Sequence, residues 1–257
     1  TRLMAATVEW VDETPSTNAL IQPDTPHGHC VAAVSQTAGR GQRGNSWEAE
    51  SGKNLTFSLC LRPDALPAAR QFEVSMTVAV AVCDYLRSLV DTPQWLTLKW
   101  PNDIYFGDRK LGGILIENTI NCGMIERSIV GIGINVNQKR FLSDAPNPIS
   151  LIHVTGLEMQ LRPLMQHLAD AIVDSQPCDV ATYRSHLWRG EGEHQFRDVA
   201  TGRLFRASVS DVNPDGRLVL ADTAGNLREY YFKEVEWVFQ PISRKYAVSN
   251  IPMECAM

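Results

Sequence analysis

What this chain of 257 residues lacks narrows its identity before any motif does. No run of about eighteen uncharged apolar residues occurs, so neither a transmembrane helix nor a membrane partner is expected. The opening TRLMAATVEW has no basic stretch leading into an apolar one, so it does not read as a secretory leader, and a cytoplasmic protein follows. The chain begins on Thr1 rather than Met, which leaves an upstream domain open. The cysteines (Cys30, Cys60, Cys83, Cys122, Cys178 and Cys255) stand singly, with no C-x-x-C spacing. That argues against a paired-cysteine zinc or redox motif and for free thiols in a reducing compartment. His27 and His29 flank Gly28, but no Cys or third His accompanies them, so they read as loop residues rather than metal ligands. Positive charge is not in excess either. A net charge of -5, with no basic tail or stripe, gives no reason to expect a nucleic-acid partner.

What remains is an ordinary globular composition, 44% hydrophobic and 21% charged, long enough for one large domain and one small one. The longest helical candidate runs from Pro67 to Val90, with Phe72, Met76, Val80, Cys83 and Leu86 recurring on one face. Strands read at Thr7–Val11, His29–Gln36, Leu55–Leu61, Leu96–Trp100, Ile104–Phe106, Leu111–Asn118 and Ile129–Val136. Helices and strands mix without strict alternation, so the expected class is α+β, with helices packed on a mixed or antiparallel sheet. Pro163 suits the start of a helix through LMQHLADAIVDS, and CDVATYRSHLWRG reads as another that stops at Gly190. From about Glu193 the texture changes to short strands and tight turns, among them Asn213-Pro214-Asp215-Gly216, and a small β-barrel is expected. The domains are therefore read as 1–190 and 191–240. The tail 241–257 is assigned no role.

The most informative stretch is Gly39-Arg40-Gly41-Gln42-Arg43-Gly44. It fits G-x-G-x-x-G, yet no helix opens after it to receive a pyrophosphate, and no Lys-Ser or Lys-Thr pair makes it a P-loop. It reads instead as a mobile cradle that carries arginines to an anionic ligand. Trp47 follows, either as core or to stack on a base. A second group is Lys99-Trp100-Pro101-Asn102-Asp103, then Gly107-Asp108-Arg109 and Lys110-Leu111-Gly112-Gly113. It pairs an acid and an amide after one strand with a lysine opening the next, although each piece alone also fits an exposed turn. Ser16-Thr17-Asn18 either caps a short helix or offers hydroxyl and amide groups to a ligand. Gly131-Ile132-Gly133-Ile134-Asn135 suggests a strand that a ligand approaches closely, or a tightly packed core strand.

Taken in order, STN, a Gln before GRGxxG, a Trp after it, KWPND, Lys-Leu-x-Gly and GxGIN resemble the biotin protein ligases, also called biotin holocarboxylase synthetases, from about Glu9 to Asn137. The resemblance implies a class II synthetase-like catalytic domain of the biotin/lipoate ligase type, with a C-terminal SH3-like barrel. It implies activation of biotin by ATP to biotinyl-5′-adenylate with Mg²⁺, then transfer to one lysine of a biotin carboxyl carrier protein. It assigns Ser16, Thr17, Asn18, Gln36, Arg40, Gly41, Gln42 and Lys110 to biotin. Gly39, Arg43, Gly44, Trp47, Asn102 and Asn135 fall to ATP or the adenylate, with Asn135 at metal or phosphate and Trp47 on adenine. Lys110, Arg40 and Asp103 are the expected catalytic residues, Asp103 to align or deprotonate the incoming amine. Mg²⁺ is expected to arrive with ATP rather than at a site of the protein alone, and a homodimer is left open.

One departure stands out, because many members carry arginine where this chain has Gln42. Either Arg43 substitutes or the adenylate is held less firmly. The N-terminal helix-turn-helix of regulatory members is absent from the sequence, which reads as a ligase without a repressor role unless that domain precedes Thr1. A lipoate ligase or octanoyl transferase of the same fold is the rival enzyme, and a non-catalytic nucleotide-binding module is the rival of another class. The barrel is read either as a stability cap or as a docking element.

Overall fold

The computed structural model describes residues 5–142 and 147–238, with the Arg43 side chain outside the described set. The tail 241–257 and Cys255 also lie outside it. The chain divides into two compact units, residues 1–188 and 189–257. Among the described residues no helix is long and apolar enough to cross a membrane.

In the first unit seven strands form one mixed sheet: β1 (Thr7–Thr14), β2 (His29–Gln36), β3 (Leu55–Leu61), β4 (Leu96–Lys99), β5 (Asp103–Phe106), β6 (Arg109–Asn121) and β7 (Met124–Ile134). Their spatial order is β1-β2-β3-β7-β6-β5-β4, with β1 and β2 parallel and the other neighbours antiparallel. This is the α+β class expected. Successive side chains of a strand point to opposite faces, and here the alternation sorts apolar from small and polar residues. Leu55, Phe57 and Leu59 of β3 pair with Ile134, Ile132 and Val130 of β7, and Ile114 of β6 continues that face. These side chains are buried, and each contributes roughly 1.5–3 kcal/mol relative to exposure. The other face presents Thr56 and Ser58, paired with Gly133 and Gly131, then Gly113, Leu115 and Glu117.

Four helices accompany the sheet: α1 (Phe72–Arg87), α2 (Leu151–Thr155), α3 (Leu161–Val173) and α4 (Val180–Ser185). α1 packs on β4, α3 and α4, and α3 packs on β1 and β3. The helix expected from Pro67 starts later. Pro67 forms a bridge with Met124, Ala68 N donates to Gly123 O and Ile125 N donates to Leu66 O, so this segment is held extended against the β6–β7 turn. The last helix also shrinks from its expected span. Leu98 N donates to His186 O and Trp188 N to Leu98 O, so Leu187 and Trp188 extend the sheet beside β4 instead of continuing α4. α2 was not anticipated. Ser150 precedes it and Gly156, at φ 71°, closes it in the left-handed conformation that glycine adopts without a Cβ penalty.

The second unit is a five-stranded antiparallel sheet of β8 (His194–Asp198), β9 (Leu204–Val212), β10 (Leu218–Asp222), β11 (Leu227–Tyr230) and β12 (Val235–Trp237), in the order β11-β10-β9-β8-β12. Phe196 packs against Phe205 and Trp237, at centroid distances of 5.8 and 5.2 Å. The Asn213–Gly216 turn closes with a bond from Gly216 N to Asn213 O at 2.8 Å.

Candidate active site

The polar face of the large sheet is roofed at one end by the segment after β1. Thr17–Leu20 forms a 3₁₀ turn, and Ser16 ahead of it makes no side-chain capping bond, so the capping reading of that serine does not hold. Ser16, Thr17 and Asn18 are buried over β3 and β7. Thr17 N donates to Gln36 Oε1 at 2.8 Å, and the Thr17 and Ser58 hydroxyl oxygens lie 2.7 Å apart. Ser58 Oγ donates to Asn18 Oδ1 at 2.5 Å, which commits its single proton, and Thr17 directs its own to Ser58 Oγ or to Gln36 Oε1, 3.1 Å away. Asn18 Nδ2 donates to Glu117 Oε2 at 2.6 Å. The result is a chain of neutral hydroxyl and amide groups whose orientations are fixed by one another before any ligand arrives.

Glycine makes this close approach possible. A Cβ at Gly131 would stand 2.5 Å from Asn18 Oδ1, and one at Gly133 would overlap the Trp47 indole. Trp47 therefore packs directly against the strand at Gly133, with its ring N–H buried and without a hydrogen-bond partner among the described residues. The loop between Gly39 and Trp47 closes on itself. Arg40 and Ser46 form an antiparallel bridge, Trp47 N donates to Gly39 O at 2.9 Å, and Gly41 N donates to Asn45 O at 2.6 Å. Gln42–Gly44 is a 3₁₀ turn at its tip, and the Gln42 Oε1 atom is buried without a partner among the described residues. With Ala38, Leu115 and Glu117 the loop lines a cleft of about 600 Å³. Arg40 Nη2 crosses it to Glu117 Oε2 at 3.3 Å.

Further along the same face, Gly113 is the partner both of Gly133 and of Asp103. Lys110 Nζ lies 2.7 Å from Asp103 Oδ1, with both side chains about a quarter exposed. A Cβ on Gly113 would sit 3.5 Å from Asp103 Oδ1 and 3.6 Å from Lys110 Cε, so this pair lies directly over bare backbone. Next to it, Lys99, the cross-strand partner of Asp103, donates through Nζ to Tyr105 Oη at 3.1 Å. Burial, reinforced by Asp103 and Asp108, pushes the Tyr105 phenol up, so that hydroxyl stays protonated.

Of the residues chosen from the sequence, Ser16, Thr17, Asn18, Gln36, Arg40, Gly39, Gly41, Gln42, Gly44 and Trp47 gather around the first end of this face. Lys110 and Asp103 form the second. Asn102 and Asn135 each make a side-chain bond to the backbone. Asn102 Nδ2 donates to Ile114 O at 2.8 Å, and Asn135, 4% exposed, donates through Nδ2 to Ile149 O at 3.0 Å. Both side-chain donors thus brace the chain around β6 and β7. Sequence reading passed over Ser58 and Glu117. Ser58 sits inside an apolar strand, and its only signal is that parity puts it opposite Gly131. Glu117 carries no motif at all. Among the described residues no group of three or more His, Cys, Asp or Glu side chains could hold a metal ion.

Comparison with known proteins gives the family and the fold. The model of the biotin/lipoate A/B protein ligase family matches residues 10–135. A bifunctional ligase/repressor BirA of Bacillus spizizenii is 32% identical over 236 residues, 84% of this chain and 68% of its own. A biotin--[acetyl-CoA-carboxylase] ligase of Mycobacterium tuberculosis is 33% identical over 228 residues, 82% of this chain and 81% of its own. Three further proteins of the bifunctional name are spanned over only 33% to 50% of their length. The fold matches that of a biotin protein ligase from Aquifex aeolicus in complex with biotin and ATP, with a TM-score of 0.68 at 21% identity, over 91% of this chain and 99% of that one.

Proposed function

The chain belongs to the biotin protein ligase family, and from that premise we infer that it activates biotin with ATP and passes the acyl group to a lysine of a biotin carboxyl carrier protein. The observation that carries this reading is one sheet face that holds a neutral polar group, at Thr17, Asn18, Gln36 and Ser58, with the Arg40 guanidinium beside it at the first end and the Lys110 ammonium at the second. A cyclic urea offers one carbonyl acceptor and two N–H donors and carries no charge, which suits the neutral group. The two cations suit a carboxylate brought against a phosphate.

In the first step a biotin carboxylate oxygen forms a bond to the α-phosphorus of ATP, the α–β bridging P–O bond breaks, and pyrophosphate leaves. Two like charges about 4 Å apart repel by roughly 4 kcal/mol at the effective dielectric of a protein surface, so cations have to stand beside both anions. We assign Lys110 to the carboxylate or α-phosphate and Arg40 to the phosphate. Mg²⁺ is taken as part of the MgATP substrate, where it neutralises triphosphate charge.

In the second step the lysine amine attacks the acyl carbonyl and the bond to AMP breaks. The amine must first lose a proton, and Asp103 is the acceptor we propose. Once Lys110 turns to an anionic ligand, the Asp103 carboxylate is free to accept a bond from the incoming amine. Closing the Gly39–Trp47 loop over the mixed anhydride would exclude water until the carrier lysine arrives.

The direct test is pyrophosphate release with MgATP and either biotin or lipoate, followed by transfer to a purified biotin carboxyl carrier domain. Release and transfer with biotin alone are expected. Activity with lipoate and none with biotin would overturn the reading.

A further inference from the structure

Glu117 stands where the two parts of the first end meet. Strand register puts it on the ligand face, two residues past Leu115 and opposite Ile129. One oxygen of its carboxylate accepts from Asn18 Nδ2 at 2.6 Å and from Arg40 Nη2 at 3.3 Å. A carboxylate only accepts, so this contact fixes which way the Asn18 amide faces: nitrogen to Glu117, oxygen to Ser58 Oγ. The same oxygen partly neutralises the loop guanidinium. The Arg40 and Glu117 side chains are 51% and 42% exposed, so their pairing is weak and replaceable. Both line the cleft formed with Gly39 and Gly41.

We propose that Glu117 is a positioning residue with two tasks: it orients the Asn18 amide for a neutral urea, and it is a resident counter-ion that holds Arg40 across the cleft until an anionic nucleotide takes the guanidinium. The proposal rests on the ligase reading above and adds a competition to it. A nucleotide has to displace Glu117 from Arg40, so part of its binding strength is spent undoing the pair. Because the pair is solvated, the effect is small, about two- to fivefold in affinity.

Two substitutions separate the tasks. Glu117→Gln keeps an acceptor for Asn18 Nδ2 and removes the charge, while Glu117→Ala removes both. Steady-state pyrophosphate release on the full chain should give E117Q a KM for MgATP about two- to fivefold below wild type, with the KM for biotin within about twofold. E117A should raise the KM for biotin. An unchanged or higher KM for MgATP in E117Q overturns the proposal. Trypsin provides a readout independent of turnover. With no ligand present, cleavage after Arg40 should be faster in E117Q than in wild type, and equal rates also overturn the proposal. If the wild-type chain releases no pyrophosphate with biotin, the ligase reading fails, and the trypsin comparison still decides whether Glu117 holds Arg40. Thermal melts establish that each variant is folded, and E117Q alone suffices if E117A is not.

Discussion

The Lys110 ammonium lies 2.7 Å from a carboxylate oxygen of Asp103, so a cation expected to meet the substrate already has a partner within the protein. The two residues should therefore fail at different steps. Lys110→Met should lower adenylate formation by about 10²–10³-fold, as loss of a preorganised charge in a reaction centre does. Asp103→Asn should leave pyrophosphate release largely intact and lower transfer to the carrier lysine by about 10²-fold. Burst-phase pyrophosphate release and carrier biotinylation, measured on the same preparations, check this, and normal transfer by Asp103→Asn would rule out its role as base.

Gly133 lies directly beneath the Trp47 indole. Gly133→Ala inserts a methyl group where a rigid ring already sits, and overpacking of this kind costs about 1–3 kcal/mol. If the ring moves instead of the strand, stability changes little and nucleotide binding suffers. Denaturant midpoints together with the KM for MgATP distinguish the two responses, and a variant normal in both would show that Trp47 does not rest on this glycine.

Gln42 places a buried carbonyl oxygen, without a partner among the described residues, at the loop tip where the family resemblance puts a guanidinium in many members. A neutral amide gives an anionic adenylate less hold. Gln42→Arg should slow biotinylation of bystander amines severalfold while sparing the carrier lysine, read out by mass spectrometry of a mixed acceptor pool. Equal labelling by both proteins would mean that the loop retains adenylate without a charge at this position.

His27 Nδ1 accepts a bond from Arg62 N at 3.0 Å, and burial, followed by the Arg62 charge, lowers its pKa below the ordinary histidine value. The unfolded chain therefore takes up this proton before the folded one does. The histidine's contribution to stability is full above about pH 6.5 and declines as the pH falls below it. Urea midpoints should drop between pH 7.5 and 5.5, and His27→Gln should reduce that drop. An identical drop in the variant would assign the effect to other groups.

Much of the sheet could be read in advance because alternation and turn chemistry are local. HCVAAVSQ and LTFSLCL gave strands whose spans match β2 and β3. The helix ends were less legible. Pro67 and Leu187 each sit within a helical pattern, yet backbone N–H and C=O groups beside them are taken by Gly123, Ile125 and Leu98, partners distant in sequence. α2 has a serine before it and a glycine after, but five residues fall well short of what periodicity can resolve. Glycines and arginines announced the loop because they form a pattern, whereas Ser58 and Glu117 matter through register alone. Parity along β3 and β6 would have put them on the same face as Gly131, had the pairing of those strands with β7 been known.

Beneath Asn18, Trp47 and the Lys110–Asp103 pair the sheet presents main chain at Gly131, Gly133 and Gly113, which leaves no side chain at those points to exchange. Any retuning toward a bulkier or longer acid has to work from the surrounding walls, and those come from stretches scattered over the first 120 positions. A successful redesign would thus need several coordinated substitutions, while single changes underfoot mostly obstruct.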